Sequence, residues 1–233
     1  MIRDRHAVVV AGGRGTRMRS SVPKQFALLA GKPVLMHTLT AFRRCSFPIN
    51  IVLVLPETEI PTWKELCHEY SFDTTGEIEV VAGGATRTAS VRNGLQQLSQ
   101  EEGLVAIHDG VRPLITTELV ERSYQQAEQH GSAIASVPLK DSIRRVDRTG
   151  SKSCHREEYR LIQTPQTFLV SLIQTAYSQV GTQNFSDDAS LVEHIGHSIT
   201  LIKGEYQNLK ITTPEDLVVA NALLKQAGTT SRS

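Results

Sequence analysis

The 233-residue chain lacks what would tie it to a membrane, an oxidising compartment or a polyanion. No apolar run approaches the ~20 residues that cross a bilayer as a helix, so a membrane span is not expected. Cysteine is scarce: Cys45, Cys67 and Cys154 lie far apart and in no CxxC or Cys/His spacing. That excludes a zinc ribbon and a disulfide framework, and makes a reducing cytoplasm the expected compartment. Aromatic residues are 5% of the chain, which leaves core building to Val, Ile and Leu. The formal net charge is only +1, so no global field draws in nucleic acid or anionic lipid, and any anion must be held by a local cluster. The charged start, Met1 to His6, runs straight into an apolar stretch, and no signal peptide is expected.

Two common phosphate loops are missing as well. A P-loop needs Gly-Lys-Ser/Thr, which occurs nowhere in the chain. A Rossmann fingerprint needs a third glycine where Met18 stands, which disfavours a dinucleotide-dependent dehydrogenase.

What is present is Ala11-Gly12-Gly13-Arg14-Gly15-Thr16-Arg17-Met18, with Pro23-Lys24-Gln25 behind it. The β-branched run Val8-Val9-Val10 before it reads as a buried parallel strand. Glycines at such a strand end let the backbone turn and approach a ligand, and free N–H groups there suit phosphate. Arg14, Arg17 and Lys24 add positive charge. The loop therefore reads as a nucleoside triphosphate site.

Strand and helix patterns alternate behind it. Strands are expected at 51–55, 78–81, 104–107, 133–137 and 199–202, and helices at 32–44, 61–70, 87–98, 117–129, 170–180, from a start within 186–189 to about 195, and 214–226. Ser186-Asp187-Asp188 and Thr213-Pro214-Glu215-Asp216 carry helix-start signals. The length and alternation predict one α/β domain over 1–228 with a tail at 229–233, built on a mostly parallel mixed sheet with helices on both faces. Residues 139–163 break the rhythm and read as a protruding β-arm turned at Asp147-Arg148-Thr149-Gly150. A polar hairpin of that length is marginal alone, so it is expected to pack on a second subunit as a homodimer.

In such a sheet ligands bind outside the carboxyl ends of the strands. The first glycine loop, the turn Gly83-Gly84 before Arg87 and Ser90, and His108-Asp109-Gly110 all fall at strand ends. Asp109 suits Mg²⁺, which favours carboxylate, water and phosphate oxygens, and Arg112 suits a second phosphate. Taken alone, those two residues fit equally a capped turn with an ion pair. Ser90 reads equally as a contact to base or ribose and as a helix-surface hydroxyl, and Lys210 alone as a solvated charge.

Together these residues resemble the 2-C-methyl-D-erythritol 4-phosphate cytidylyltransferase family, over roughly Val8 to Leu224. The carriers are Ala11 through Met18, Pro23-Lys24-Gln25, Gly84 through Val91, His108 through Pro113, Lys140-Asp141-Ser142, Thr164-Pro165-Gln166, Ser186 through Ser190, Asn208-Leu209-Lys210 and Pro214-Glu215-Asp216. The resemblance implies a Rossmann-like nucleotidyltransferase fold and transfer of CMP from CTP to a sugar-alcohol phosphate. It implies Arg17, Lys24 and Lys210 as catalytic cations, and Ala11, Gly12, Gly13, Gly15, Gly84, Arg87, Ser90, Asp109 and Gly110 as the CTP site. It also implies Asp109 at the metal, and Arg112, Ser142, Arg156, Thr164 and Ser186 as acceptor contacts, the arm residues reaching a neighbouring subunit. Ribitol 5-phosphate cytidylyltransferases share most of these motifs, and a catalytically silent nucleotide-binding protein is the rival of another class. This chain departs from the family pattern at Gly110-Val111, Ser142 and Ser186, and at Gln207, where an acidic residue is expected.

Overall fold

The computed structural model describes residues 4–13, 18, 22–98, 103–181, 183 and 185–230. The chain opens with β1 (Arg5–Val10). Leu28–Leu29 (β2) and Lys32–Pro33 (β3) then form a small hairpin, turned by Ala30 and Gly31 at φ of 48° and 81°. Lys32 and Pro33 pair with Leu29 and Leu28, so the first helix, α1 (Val34–Arg43), starts two residues later than the pattern suggested.

The expected alternation follows: β4 (Asn50–Leu55), α2 (Ile60–Glu69), β5 (Ile78–Ala82), α3 (Arg87–Leu95), β6 (Leu104–Asp109), α4 (Thr117–His130) and β7 (Ser132–Pro138). Side-chain caps set the helix starts. Thr86 Oγ1 accepts the Ala89 N–H at 3.1 Å, and Thr116 Oγ1 accepts that of Leu119 at 3.1 Å. Helix α4 stops at Gly131, whose φ of 81° is left-handed.

The arm comes next as β8 (Ile143–Asp147) and β9 (Gly150–Cys154), an exposed two-stranded sheet. The chain then re-enters the main sheet as β10 (Arg160–Leu169), followed by α5 (Val170–Gln179), α6 (Asp188–His194), β11 (Leu201–Lys203) and α7 (Pro214–Thr230). Helix α7 runs past 226, where the sequence reading ended it, and reaches Thr230, inside the expected tail at 229–233.

Strand β10 is absent from the sequence reading, which ended the arm at 163. It carries Gln163, Thr164, Gln166 and Thr167, all buried, so no apolar pattern betrays it. It also holds Pro165, which argues against a central strand. Its pairing with β7 shifts register between Ile162 and Gln166, the stretch containing that proline. Its polar side chains are satisfied internally: Gln166 Oε1 accepts the N–H groups of Asp188 and Ala189 at 3.0 and 2.9 Å.

The strand order is β11-β7-β10-β6-β1-β4-β5, and only β10 runs antiparallel to its neighbours. Alternate residues of β1 feed two cores: Ala7 and Val9 pack with Leu35, Leu39 and Phe42, while Val8 and Val10 pack with Val91 and Leu95. Helix α3 lies so close to the sheet that a Cβ on Gly94 would stand 2.5 Å from Val8 Cγ1. Trp63, 1% exposed and stacked on Phe26, belongs to the first core. With β4 and β6 on either side of β1, the strand order reverses there, and the carboxyl ends open one crevice.

Candidate active site

The crevice is a cavity of about 610 Å³. Its walls come from the ends of β1, β4, β5 and β6 and from the loop before α7. Among the residues expected from sequence, Ala11, Gly12, Gly13, Lys24, Gly84, Arg87, Ser90, Asp109 and Lys210 line it. Gly15 and Arg17 lie outside the described residues, as does Arg14.

Lys24 sits in a turn opened by Pro23, whose carbonyl accepts the Phe26 N–H at 2.8 Å. It is only 9% exposed, and its amine lies beside the glycine loop: a Cβ on Gly13 would stand 3.4 Å from Nζ and 3.3 Å from Cε. The missing side chain at Gly13 thus makes room for the ammonium group. Next to it, Gln25 is fully buried and donates to the Glu59 carboxylate.

On the β5 side, the Gly84 N–H donates to Ser90 Oγ at 3.1 Å, and that hydroxyl donates to Thr86 O at 2.9 Å. Ser90 therefore ties the loop to its helix as well as lining the cavity. A Cβ on Gly84 would meet Ala89 Cβ at 2.4 Å, so only glycine fits there.

At the floor, Asp109 is 6% exposed and faces three cations: Lys210 Nζ at 3.1 Å, Arg112 Nε at 3.2 Å and Arg87 Nε at 3.9 Å. Burial pushes its carboxyl up, but Lys210, Arg112 and Arg87 outweigh that and hold it well below the usual carboxylate range. Arg87 is itself fixed by Asp188 of α6, at 2.7 Å, and Tyr177 donates to the same carboxylate at 2.6 Å. His108 is fully buried, edge-on to Phe42, and burial lowers its pKa to about 3, so it stays a neutral core ring.

Other expected residues stand outside the cavity. Gly110 is packed into the core, where a Cβ would meet Ala11 Cβ at 2.9 Å and Leu35 Cδ1 at 3.0 Å. Arg112 is spent inside the protein, on Asp109 and on the Asn208 carbonyl at 2.7 Å. Thr164 Oγ1 accepts the Asp109 N–H at 3.0 Å and so supports the floor from beneath. Ser186 is exposed, 3.5 Å from Ser190 Oγ. Ser142 and Arg156 are exposed on the arm, and within one chain neither reaches the cavity.

Sequence reasoning missed one wall. Pro56, Glu57, Thr58 and Glu59 line the cavity in a 3-10 turn after β4. The signal was available: a turn at the carboxyl end of the strand beside β1 follows the rule that placed Gly84 there. Burial raises the pKa of Glu59, with the Gln25 amide opposing it.

A divalent cation fits this donor set only with help from substrate. No cluster of three His, Cys, Asp or Glu occurs among the described residues. Asp109 Oδ2 already accepts from Arg112 and Lys210, whereas Oδ1 faces Arg87 Nε at the longer distance of 3.9 Å. One carboxylate oxygen plus phosphates and water is a usual Mg²⁺ environment.

The family description 2-C-methyl-D-erythritol 4-phosphate cytidylyltransferase matches residues 5–226. A protein of that name from Bacteroides thetaiotaomicron is 49% identical over 217 residues, 93% of this chain and 98% of its own. Another from Geotalea uraniireducens is 44% identical, over 94% of this chain and 96% of its own. Among solved structures, 4-diphosphocytidyl-2C-methyl-D-erythritol synthase from Anaerococcus prevotii superposes with a TM-score of 0.82 at 30% identity, over 96% of each chain. The Thermus thermophilus cytidylyltransferase gives a TM-score of 0.77 at 32% identity, over 95% of this chain and 99% of its own.

Proposed function

The chain belongs to the 2-C-methyl-D-erythritol 4-phosphate cytidylyltransferase family, and from that premise we propose how its own residues carry the reaction. The enzyme transfers CMP from CTP to 2-C-methyl-D-erythritol 4-phosphate, yielding 4-diphosphocytidyl-2-C-methyl-D-erythritol and pyrophosphate in isoprenoid biosynthesis. An acceptor phosphate oxygen attacks the α-phosphorus of CTP, and the bond to the β-phosphate oxygen breaks. The acceptor is already an anion, so no general base is required, and catalysis is positioning plus charge stabilisation.

In this reading Ala11, Gly12 and Gly13 face the triphosphate, and Gly15 and Arg17 are assigned to it from the sequence motif alone. Lys24 and Lys210 neutralise charge on the five-coordinate phosphorus. Gly84 and Ser90 shape the nucleoside wall, and Arg87 binds beside it. Asp109 orients Lys210 and Arg87, and it is the side chain that would hold Mg²⁺, which when bound lowers the charge of the triphosphate. Arg112 and Thr164 fix Asp109. Ser142, Arg156 and Ser186 are assigned to the acceptor, the first two across a dimer formed through the arm. Exposed Val146, Tyr159, Leu161 and Ile162 on and beside that arm favour such a partner. We assign the enzyme to the cytoplasm, in keeping with Cys45, Cys67 and Cys154 being unpaired.

The observation that carries this reading is the meeting of Lys24, Asp109 and Lys210 on one cavity with both glycine turns. Pyrophosphate release tests it. Lys24→Ala lowers kcat by roughly a hundredfold or more, as loss of one preorganised donor does. An activity within about threefold of wild type removes Lys24 from this role.

A further inference from the structure

Arg87 reaches from the start of α3 into the cavity and stands between two carboxylates. One belongs to the floor: Asp109 Oδ1 lies 3.9 Å from Arg87 Nε. The other lies behind, outside the cavity lining: Asp188 Oδ2 accepts from Arg87 Nη2 at 2.7 Å. Among the described residues this is the one hydrogen bond of the Arg87 side chain. Asp188 is fully buried and held in place by its neighbours. Tyr177 Oη donates to its Oδ1 at 2.6 Å, and Gln166 Oε1 accepts its N–H at 3.0 Å. The adjacent acid, Asp187, is turned elsewhere. Its carboxylate accepts from the Gln166 amide at 2.8 Å and from the Ser190 N–H at 3.1 Å.

Stability alone is a weak reason for such a pair, because well-packed apolar residues in place of a buried ion pair are often as stable. The charges at the floor supply a better one. Asp109 Oδ2 already serves two cations, Lys210 at 3.1 Å and Arg112 at 3.2 Å. Without Asp188, Arg87 would be a third cation balanced by the same carboxylate. It faces Oδ1, the oxygen that in the reading above holds the divalent cation. An unbalanced charge about 4 Å away acts strongly in a buried site, and it repels a cation as firmly as it attracts an anion. No movement of the chain is needed for this effect, since Arg87 is already within range of Oδ1.

We propose that Asp188 is a positioning residue, the counter-ion that keeps the charge of Arg87 off Asp109 and so leaves Asp109 Oδ1 to the Mg²⁺ that accompanies CTP. The proposal rests on the reading of Asp109 as the side chain at the metal. Asp188 stands outside the cavity and acts through Arg87.

The test is calorimetric titration of the full-length enzyme with CTP, without acceptor, once in Mg²⁺ and once in EDTA. The quantity read is the gain in affinity that Mg²⁺ brings, at least about tenfold in wild type. Asp188→Asn keeps an oxygen for Arg87 Nη2 but removes the charge. Its gain is expected to fall at least about fivefold, while its affinity in EDTA holds or rises, because the unbalanced guanidinium favours the bare triphosphate. Tyr177→Phe removes a bond to Asp188 and leaves both charges, so its gain stays within about twofold of wild type. The double variant Arg87→Gln/Asp188→Asn removes both charges together, and its gain returns to within about twofold of wild type. It leaves no unpaired charge buried, so it decides the matter even where Asp188→Asn does not fold. An unchanged gain in Asp188→Asn overturns the proposal, and so does a gain lost in the double variant. An equal loss of gain in Tyr177→Phe also overturns it, by showing a general structural role. A wild type that gains nothing from Mg²⁺ removes the reading of Asp109 at the metal and this proposal with it.

Discussion

A single methyl group at Gly84 would be felt throughout the β5 wall, because Ala89 Cβ and the Ala89 backbone leave it no room. Overpacking of this kind costs ~1–3 kcal/mol, here spent on moving the loop that Ser90 fastens. Gly84→Ala is therefore expected to weaken CTP binding by roughly tenfold, measured by calorimetric titration. An affinity within about twofold of wild type contradicts the placement of this turn at the nucleotide. At this scale much of the site was legible. Glycines at strand ends, Lys24 behind a proline and Asp109 at the end of an apolar run each carry a local signal. What sequence did not carry was burial. Arg112 and Gly110 look like neighbours of Asp109 in the chain, yet one is spent on Asp109 and Asn208 and the other is packed on Ala11. Asp188, which fixes Arg87 from 101 positions away, reads locally as part of a helix start and gives no sign of that partner.

Among the elements, the arm stands apart because it has almost no core of its own. Among the described residues its two strands pair only with each other, and Val146 is 75% exposed. Two-stranded ribbons of this kind are marginal in water without a surface to cover them. Replacing residues 143–154 by an Asn-Gly turn is expected to convert a dimer to a monomer in sedimentation velocity, with far-UV circular dichroism otherwise kept. Identical sedimentation of the two proteins contradicts dimerisation through the arm. The arm was legible from its polar break and its Asp147–Gly150 turn, whose Asp147 Oδ1 accepts from the Thr149 N–H at 2.8 Å. Strand β10 was not. A strand buried on both sides usually reads as an apolar run, whereas this one satisfies Gln166 through Asp187 and the Asp188 N–H, Thr167 through Ser123 and Gln163 through Asn208. The pairing that makes it a strand is between segments far apart in the chain, and no window of local residues contains it.

For the whole molecule, the decisive fact is topological. Strand order reverses at β1, so segments from the first glycine loop to Lys210, some 200 residues apart in the chain, end at one cavity. The alternation of strands and helices made that arrangement readable before any coordinates, because a mostly parallel sheet leaves few places for a ligand. The identity of the acceptor is written less plainly, since the residues assigned to it lie outside the cavity of a single chain. The most direct measurement is pyrophosphate release from CTP in the presence of Mg²⁺, with 2-C-methyl-D-erythritol 4-phosphate or ribitol 5-phosphate as acceptor. The account predicts a kcat/KM at least about a hundredfold higher for the methylerythritol phosphate, the discrimination expected of a site shaped to one polyol. Equal turnover or preference for ribitol 5-phosphate contradicts it, and so does the absence of release with either.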